Sequence, residues 1–255
     1  MTPFQKIEII NMKKSGIISQ ELAVTTESPL TICINNVLFD QIMRTPDDEK
    51  ALVTGILFCS GLISSPDEIK SFAMTASKQG ETVNVHIQKN QTGISNNKDI
   101  HLEKQLTKLS LPDILYCINA LPGYQPIRAI TRATHAAILF NSSCHAIAAK
   151  EDVGRHNALD KVIGQAFMDN TLDKAYILVL SSRVSHELIT KVIKTPVKCI
   201  FSVSRPTSLA VDIARKHDIS MVCLSKYDGV LVFSGVNRFD MSVPEKVTPS
   251  LASVS

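Results

Sequence analysis

The stretch Glu151-Asp152-Val153-Gly154-Arg155-His156-Asn157-Ala158-Leu159-Asp160-Lys161 crowds acids, bases and a glycine where an apolar strand hands over to a helix. The alternation from Cys144 to Ala149 predicts the strand. Asn157 is the expected N-cap, with Asp160 three residues on, where a carboxylate favours the positive helix end. Arg155 and His156 then stand beside helix N–H groups that lack an intrahelical partner, which suits an anion. A lone charged turn of this kind is commonly solvated surface with local ion pairs. This one has company.

Two more strand-to-helix junctions follow. Tyr176-Ile177-Leu178-Val179-Leu180 has the continuous apolar pattern of a buried strand and stops at Ser181-Ser182-Arg183-Val184-Ser185, ahead of a helix with a stripe of Leu188, Ile189, Val192 and Ile193. Cys199-Ile200-Phe201-Ser202-Val203 repeats the design and stops at Ser204-Arg205-Pro206-Thr207-Ser208, with Pro206 placed for a first helical turn and Leu209, Ile213 and Ala214 beyond it. Each junction offers backbone N–H groups, hydroxyls and one Arg. Helix N–H groups favour an anion and a guanidinium binds phosphate bidentately, so one phosphate-bearing ligand shared by Arg155, His156, Ser181, Arg183, Ser185 and Thr207 is the expectation. Ser and Thr are also ordinary caps, and three independent caps remain the alternative. In an open parallel sheet, ligands collect beyond the C-terminal strand ends.

At 255 residues, 44% of them hydrophobic, the chain has enough apolar sequence for a sizeable core without staples. Its net charge of +3 and the lack of a basic run with interleaved aromatics argue against a nucleic-acid groove. No stretch has the length of a membrane span and the N-terminus lacks a signal-peptide core, so a soluble, cytoplasmic protein is expected. The six cysteines (Cys33, Cys59, Cys117, Cys144, Cys199, Cys223) are scattered through apolar runs, and no two form C-x-x-C. They are expected to be small core residues, without zinc or disulfides.

The periodicity predicts a strand over Leu30 to Asn35, a turn at Asn35-Asn36 and a return over Val37 to Phe39, then an amphipathic helix from Pro46 to Cys59. Gly61 to Asp67 is expected to turn, Val83 to Ile87 to be a strand and Lys89 to Lys98 a loop. A helix is expected over Leu106 to Cys117 and irregular chain over Gly123 to Arg132. From His135 onward strands and helices alternate as in an α/β domain, with a boundary near Ser110 dividing an α+β part, 1–110, from the α/β part, 111–255. Leu224-Ser225-Lys226-Tyr227-Asp228-Gly229 caps a strand pair, with Asp228-Gly229 as the turn, and lies where it could meet the same crevice. Several motifs fail. His186-Glu187-Leu188-Ile189-Thr190 has Thr190 where a zinc-protease helix needs its second His, and there is neither a G-x-G-x-x-G nor a Walker-type loop. His135, Cys144 and His145 read as packed residues rather than a metal site.

Thr134-His135-Ala136-Ala137, Glu151 to Lys161, Ser181 to Glu187, Arg205-Pro206-Thr207-Ser208-Leu209-Ala210-Val211, Met43-Arg44-Thr45-Pro46 and Gly55-Ile56-Leu57-Phe58 together resemble the formate dehydrogenase accessory protein family, FdhD. The likeness runs in order from about Glu27 to Phe239. It implies a cytidine-deaminase-like, three-layer α/β/α domain with a smaller N-terminal α+β part, and a homodimer. It also implies passage of sulfur from a cysteine desulfurase to the bis-molybdopterin guanine dinucleotide of a formate dehydrogenase. That cofactor's phosphates and guanine would be the ligand of the three junctions, and the family sets the stretch matching Leu224, Ser225, Lys226, Tyr227, Asp228 and Gly229 against it.

The departures are as informative. The family's sulfur-carrying C-G-x-C-G loop is absent; Asn90 to Asn97 stands in its place without a cysteine. A nonstandard cysteine such as Cys117 or Cys59 would have to carry sulfur if this chain does so, and a guanine-nucleotide- or pterin-binding relative without sulfurtransferase activity is the alternative. The family's T-G-G-x-H-A-A reads Thr131-Arg132-Ala133-Thr134-His135-Ala136-Ala137, and Ser182 replaces a usual glycine. No H-x-E with P-C-x-x-C occurs, so deaminase chemistry does not come with the fold. Glu151, Asp152 and Glu187 are expected to hold Arg and Lys side chains rather than move protons.

Overall fold

The computed structural model describes residues 2–77, 80–89 and 108–242. The loop expected over Lys89 to Lys98, apart from Lys89, and Leu106 and Thr107 of the helix expected from Leu106 lie outside those residues, while Lys108 to Ser110 are described and are not helical, Leu109 bridging Phe239 instead. Strands β1 (Phe4–Lys13) and β2 (Gly16–Thr25) pair as a two-stranded antiparallel ribbon that the sequence reading missed. The cause is visible: Lys6, Glu8 and Glu21 interrupt the apolar residues, and the ribbon leaves Ile10, Met12 and Ile17 exposed rather than burying a clean face.

The expected hairpin at Asn35-Asn36 is present, both residues having left-handed φ, which Asn tolerates. It joins β3 (Ser28–Ile34) to β4 (Val37–Arg44). Helix α1 (Glu49–Cys59) begins three residues later than expected, because Asp47 and Asp48 are both held at positive φ before it. With β5 (Ile69–Ser77) and β6 (Gly80–Ile87) these strands make a four-stranded sheet in the order β4-β3-β6-β5.

Helix α2 runs from Leu111 to Asn119, its start fixed by a capping box between Ser110 and Asp113. The segment expected to be irregular is a 3₁₀ turn (Leu121–Tyr124) and a short helix α3 (Pro126–Thr131). Its proline and glycine disguised it, although Pro126 serves as a helical first residue. There follow β7 (His135–Phe140), β8 (Ala146–Asp152), α4 (Arg155–Met168), β9 (Ile177–Leu180), α5 (His186–Val192), β10 (Cys199–Ser202), α6 (Ser208–Lys216), β11 (Ser220–Ser225) and β12 (Gly229–Ser234). Cys144 belongs to the turn before β8, with φ of 60°, rather than to the strand.

The second sheet has the order β12-β11-β10-β9-β7-β8. Strands β9, β10 and β11 are parallel; β7 is antiparallel to both β8 and β9, so β8 also points their way. The C-terminal ends of β8, β9, β10 and β11 therefore share one edge of the sheet, and all three junctions lie there. Along β7, Ala137 and Leu139 face a core shared with α1 and with α4 to α6, whereas Ala136, Ile138 and Phe140 face a second core under α2. Helices thus cover both faces of this sheet.

One core runs through the α1–α4 contact, where the two helices cross backbone to backbone. A Cβ on Gly55 would overlap the Asp160 carbonyl and one on Gly164 the Ala51 carbonyl, so two glycines set the helix separation. Gly164→Ala is expected to destabilise the protein by at least about 2 kcal/mol in urea unfolding, through overpacking against rigid backbone. A loss within about 0.5 kcal/mol would show that the helices have room to part.

Candidate functional site

Asp152 and Lys161 anchor the first junction. Both are buried, with 0% and 1% exposure, and Lys161 Nζ lies 2.8 Å from Asp152 Oδ2. The same carboxylate accepts from the Thr45 N–H at 3.1 Å, the Gly154 N–H at 2.8 Å and the Asn157 amide at 3.0 Å. Thr45 Oγ1 accepts from Val153 N–H, and the Asn157 amide also donates to the Met43 carbonyl. Asn157 is therefore not the N-cap: its side chain is turned inward, and Gly154 caps α4 without any side-chain hydrogen bond. The free helix end falls beside Arg155.

Arg155 Nε is buried and has no hydrogen-bond partner in the structure. His156 Nε2 lies 2.8 Å from Glu187 Oε2, out of hydrogen-bond alignment. Glu187 thus meets a histidine rather than the Arg or Lys expected of it. Glu151 accepts from the Ile127 and Arg128 N–H groups and from Thr134 Oγ1, so it caps α3 and likewise holds no cation. Asp152 alone behaves as expected of the three.

Ser181, at the end of β9, accepts from the Ala136 N–H at 2.8 Å and lies 3.5 Å from His135 Nδ1. Ser185 caps α5 by position only, and its buried Oγ has no partner. Thr207 caps α6 by accepting from the Ala210 N–H, and Pro206 precedes that helix instead of opening it. Of the three hydroxyls, only that of Ser185 is thus left without a partner. Arg183 is exposed at the same edge.

The fourth strand end adds the β11–β12 hairpin. Leu224 and Ser225 end β11, and Lys226, Tyr227 and Asp228 form the exposed tip before Gly229, whose φ of 74° suits the turn. Arg205 Nη2 meets Asp228 Oδ2 at 2.6 Å, and Ser225 Oγ donates to the same oxygen at 2.8 Å. Lys226 Nζ sits 5.6 Å from the centre of the Tyr227 ring, which is 87% exposed. The hairpin is tied to the third junction, and the Thr207 N–H bonds the Val184 carbonyl of the second. Arg205, the Arg of the third junction, stands beside the expected set, and His135, which the sequence reads as a packed residue, joins it through Ser181. A cavity of about 450 Å³ beside Tyr124, Lys150 and Glu151 takes in none of the expected contacts.

Both crevice histidines are held below the ordinary imidazole range. Burial is the larger cause in each; Arg128 and Arg155 add to it at His135, and Arg155 at His156, where Glu187 opposes. Five thiols are pushed the other way. Burial raises Cys59 and Cys199 to about 12, and Cys117, Cys144 and Cys223 also shift up for that reason. Cys117 is fully buried with Cys144 and Cys199 in the core under α2, and Cys59 lies against Asp160. A protonated, buried thiol is a poor nucleophile, so neither proposed carrier has the required environment. Among the described residues no group of His, Cys, Asp and Glu is placed to hold a metal. No helix there is long and apolar enough to cross a membrane.

The profile of the FdhD/NarQ family matches residues 25–240, and the chain belongs to that family. It is 32% identical over 251 residues to the sulfur carrier protein FdhD of Sulfolobus acidocaldarius, covering 93% of this chain and 99% of that one. To the protein of the same name from Sulfurisphaera tokodaii it is 30% identical over 237 residues, covering 86% and 92%. The fold matches the crystal structure of a candidate formate dehydrogenase accessory protein from Desulfotalea psychrophila, with a TM-score of 0.75, 22% identity and coverage of 93% of this chain and 99% of the other.

Asp160, one turn on from His156, pairs with Lys191 across the α4–α5 contact, yet burial raises its pKa from 3.8 to about 6. A carboxyl raised on folding stabilises fully below its unfolded pKa and loses that contribution as pH rises through the folded value. Asp160→Asn is therefore expected to gain stability relative to the native chain between pH 4 and pH 7, by on the order of 2 kcal/mol, in paired urea titrations. A difference that stays constant over that range would show that Lys191 fully offsets the burial.

Proposed function

We propose that this protein is an accessory factor of formate dehydrogenase maturation that binds bis-molybdopterin guanine dinucleotide at the C-terminal edge of its second sheet. The observation that carries this is the buried, partnerless Arg155 Nε at the uncapped N-terminus of α4. A buried N–H without an acceptor costs about 1 to 3 kcal/mol, and a phosphate oxygen would remove that cost. Arg183, Ser185 and the α4 N–H groups would hold phosphate with it; His156, Ser181 and Thr207 border the same space. Lys226 would meet a second phosphate and the Tyr227 ring would stack on guanine. Gly229 leaves its backbone open to close approach, whereas the space beside Gly154 is taken by the Asn157 amide. When bound, the cofactor supplies its own molybdenum chemistry; this chain supplies binding, charge and orientation.

The curated relatives are named sulfur carriers, and we place this chain in the same process, with a cysteine desulfurase as donor and a formate dehydrogenase as client. A homodimer, a cytoplasmic location and a cytidine-deaminase-like three-layer arrangement of residues 111–255 belong to the same proposal. The missing C-G-x-C-G loop and the burial of five of the six thiols favour a second reading for the sulfur step: a relative that binds the guanine nucleotide or pterin without its own cysteines carrying sulfur. Persulfide labelling after incubation with a cysteine desulfurase separates the two, since a labelled Cys59 or Cys117 would restore transfer.

Binding is tested by calorimetry with guanosine diphosphate. Arg155→Ala is expected to weaken affinity by about 1.5 to 3 kcal/mol, the scale of a charged hydrogen bond, and Arg183→Ala by the lower end of that range. Unchanged affinity in both would leave three ordinary helix caps. Tyr227→Ala is expected to lose about 1 to 3 kcal/mol of affinity at an unchanged Tm, because the exposed ring packs on nothing it would destabilise. A lower Tm with full affinity would make Tyr227 a packing residue.

A further inference from the structure

We propose that His135 is a further ligand-binding residue of this crevice and that, together with His156, it takes up a proton as a phosphate-bearing ligand binds. The inference rests on the crevice being the binding site proposed above. Ser181 Oγ accepts the Ala136 N–H at 2.8 Å and still has its own proton and a second lone pair to share with His135 Nδ1, 3.5 Å away. Whichever nitrogen holds the proton of the neutral ring, imidazolium donates from both, so protonation gives this half-buried side chain at the sheet edge a donor at Nε2. The groups facing it are Arg128 from α3, Arg155 from α4 and Ser181 from β9; those facing His156 are Arg155 on its own helix and Glu187 and Lys191 from α5. Arg155 is the charge common to both rings.

That shared cation makes the two rings and the ligand one electrostatic unit. While Arg155 has no anion, its charge and the burial of the rings disfavour imidazolium at both positions. A phosphate that engages Arg155 cancels its charge and adds negative charge of its own. Imidazolium becomes favoured, each ring taking one proton from solvent, and the new cations hold the anion in turn. Linkage requires the converse: the ligand binds more tightly where protons are plentiful.

The test uses guanosine diphosphate mannose, whose pyrophosphate is a diester and has no ionisation of its own near neutrality. Calorimetry of the full chain at pH 7 in Pipes and in Tris, buffers of different ionisation enthalpy, reads the protons exchanged. The expected result is net uptake, with affinity about tenfold or more weaker at pH 8 than at pH 6, within the roughly hundredfold per proton that linkage allows over two pH units. His135→Gln should reduce the uptake, and the His135→Gln/His156→Gln pair should abolish it. Proton NMR titration of the two imidazoles in the native chain, with and without ligand, gives the same answer if a variant fails to fold: both should titrate higher when the ligand is bound. Binding without proton uptake, or uptake undiminished in the double variant, overturns the inference and leaves the site standing. No binding at any pH overturns both.

Discussion

The structure turns on one carboxylate. Asp152 has no contact with water, and its acceptor positions are filled by an ammonium, two backbone N–H groups and an amide, which satisfies a buried anion nearly as fully as side-chain chemistry allows. A buried ion pair is weak grounds for net stability, since desolvation consumes much of its Coulomb energy. What it provides is position. Its donors come from the turn after β8 (Gly154), from the body of α4 (Asn157, Lys161) and from Thr45, the residue that follows β4. Removing one partner would leave a bare buried charge, at about 3 to 5 kcal/mol. The two sheets are therefore joined at the point where the first junction leaves the core.

The state of the site follows from that clamp. Asn157 lies inside the first turn of α4 with its side chain claimed by Asp152 and the Met43 carbonyl, and Gly154, which holds the cap position, has none to offer. The N-terminus of α4 is consequently open, and Arg155 is held beside it with a buried N–H that finds no acceptor. The neighbouring strand ends are tied by weaker links: His156 to Glu187, Thr207 to Val184, Arg205 to Asp228. The last joins two exposed side chains, so it contributes little to stability and leaves the hairpin tip responsive to a competing anion.

Much of the fold was legible because its signals are local. Continuous apolar runs at Ile177 and Cys199, the Asn35-Asn36 turn and the Ser-Thr-Arg junctions each name their element within a few residues. What the sequence hid depends on distant partners. Asn157 looks like a cap until Met43, over a hundred positions away, takes its amide. Glu151 looks like a cation holder until α3 presents its N–H groups. The β1–β2 ribbon has no single buried face, so it shows no period. In the site, the Arg and hydroxyl positions could be read from spacing, whereas the placement of His135 against Ser181 needed the antiparallel register of β7. Arg132 shows a departure with a visible cost: it stands where the family pattern has glycine and keeps a φ of 59°.

The claim most open to direct test is that the Asp152 clamp holds the binding edge in shape. Amide hydrogen exchange over residues 153–157, compared between the native chain and Asp152→Asn, reads it. The account predicts markedly faster exchange in that segment of the variant, with β9 and β10 keeping their protection. Equal acceleration throughout, or none at 153–157, would show that the clamp contributes only to global stability and that the edge owes its form to something else.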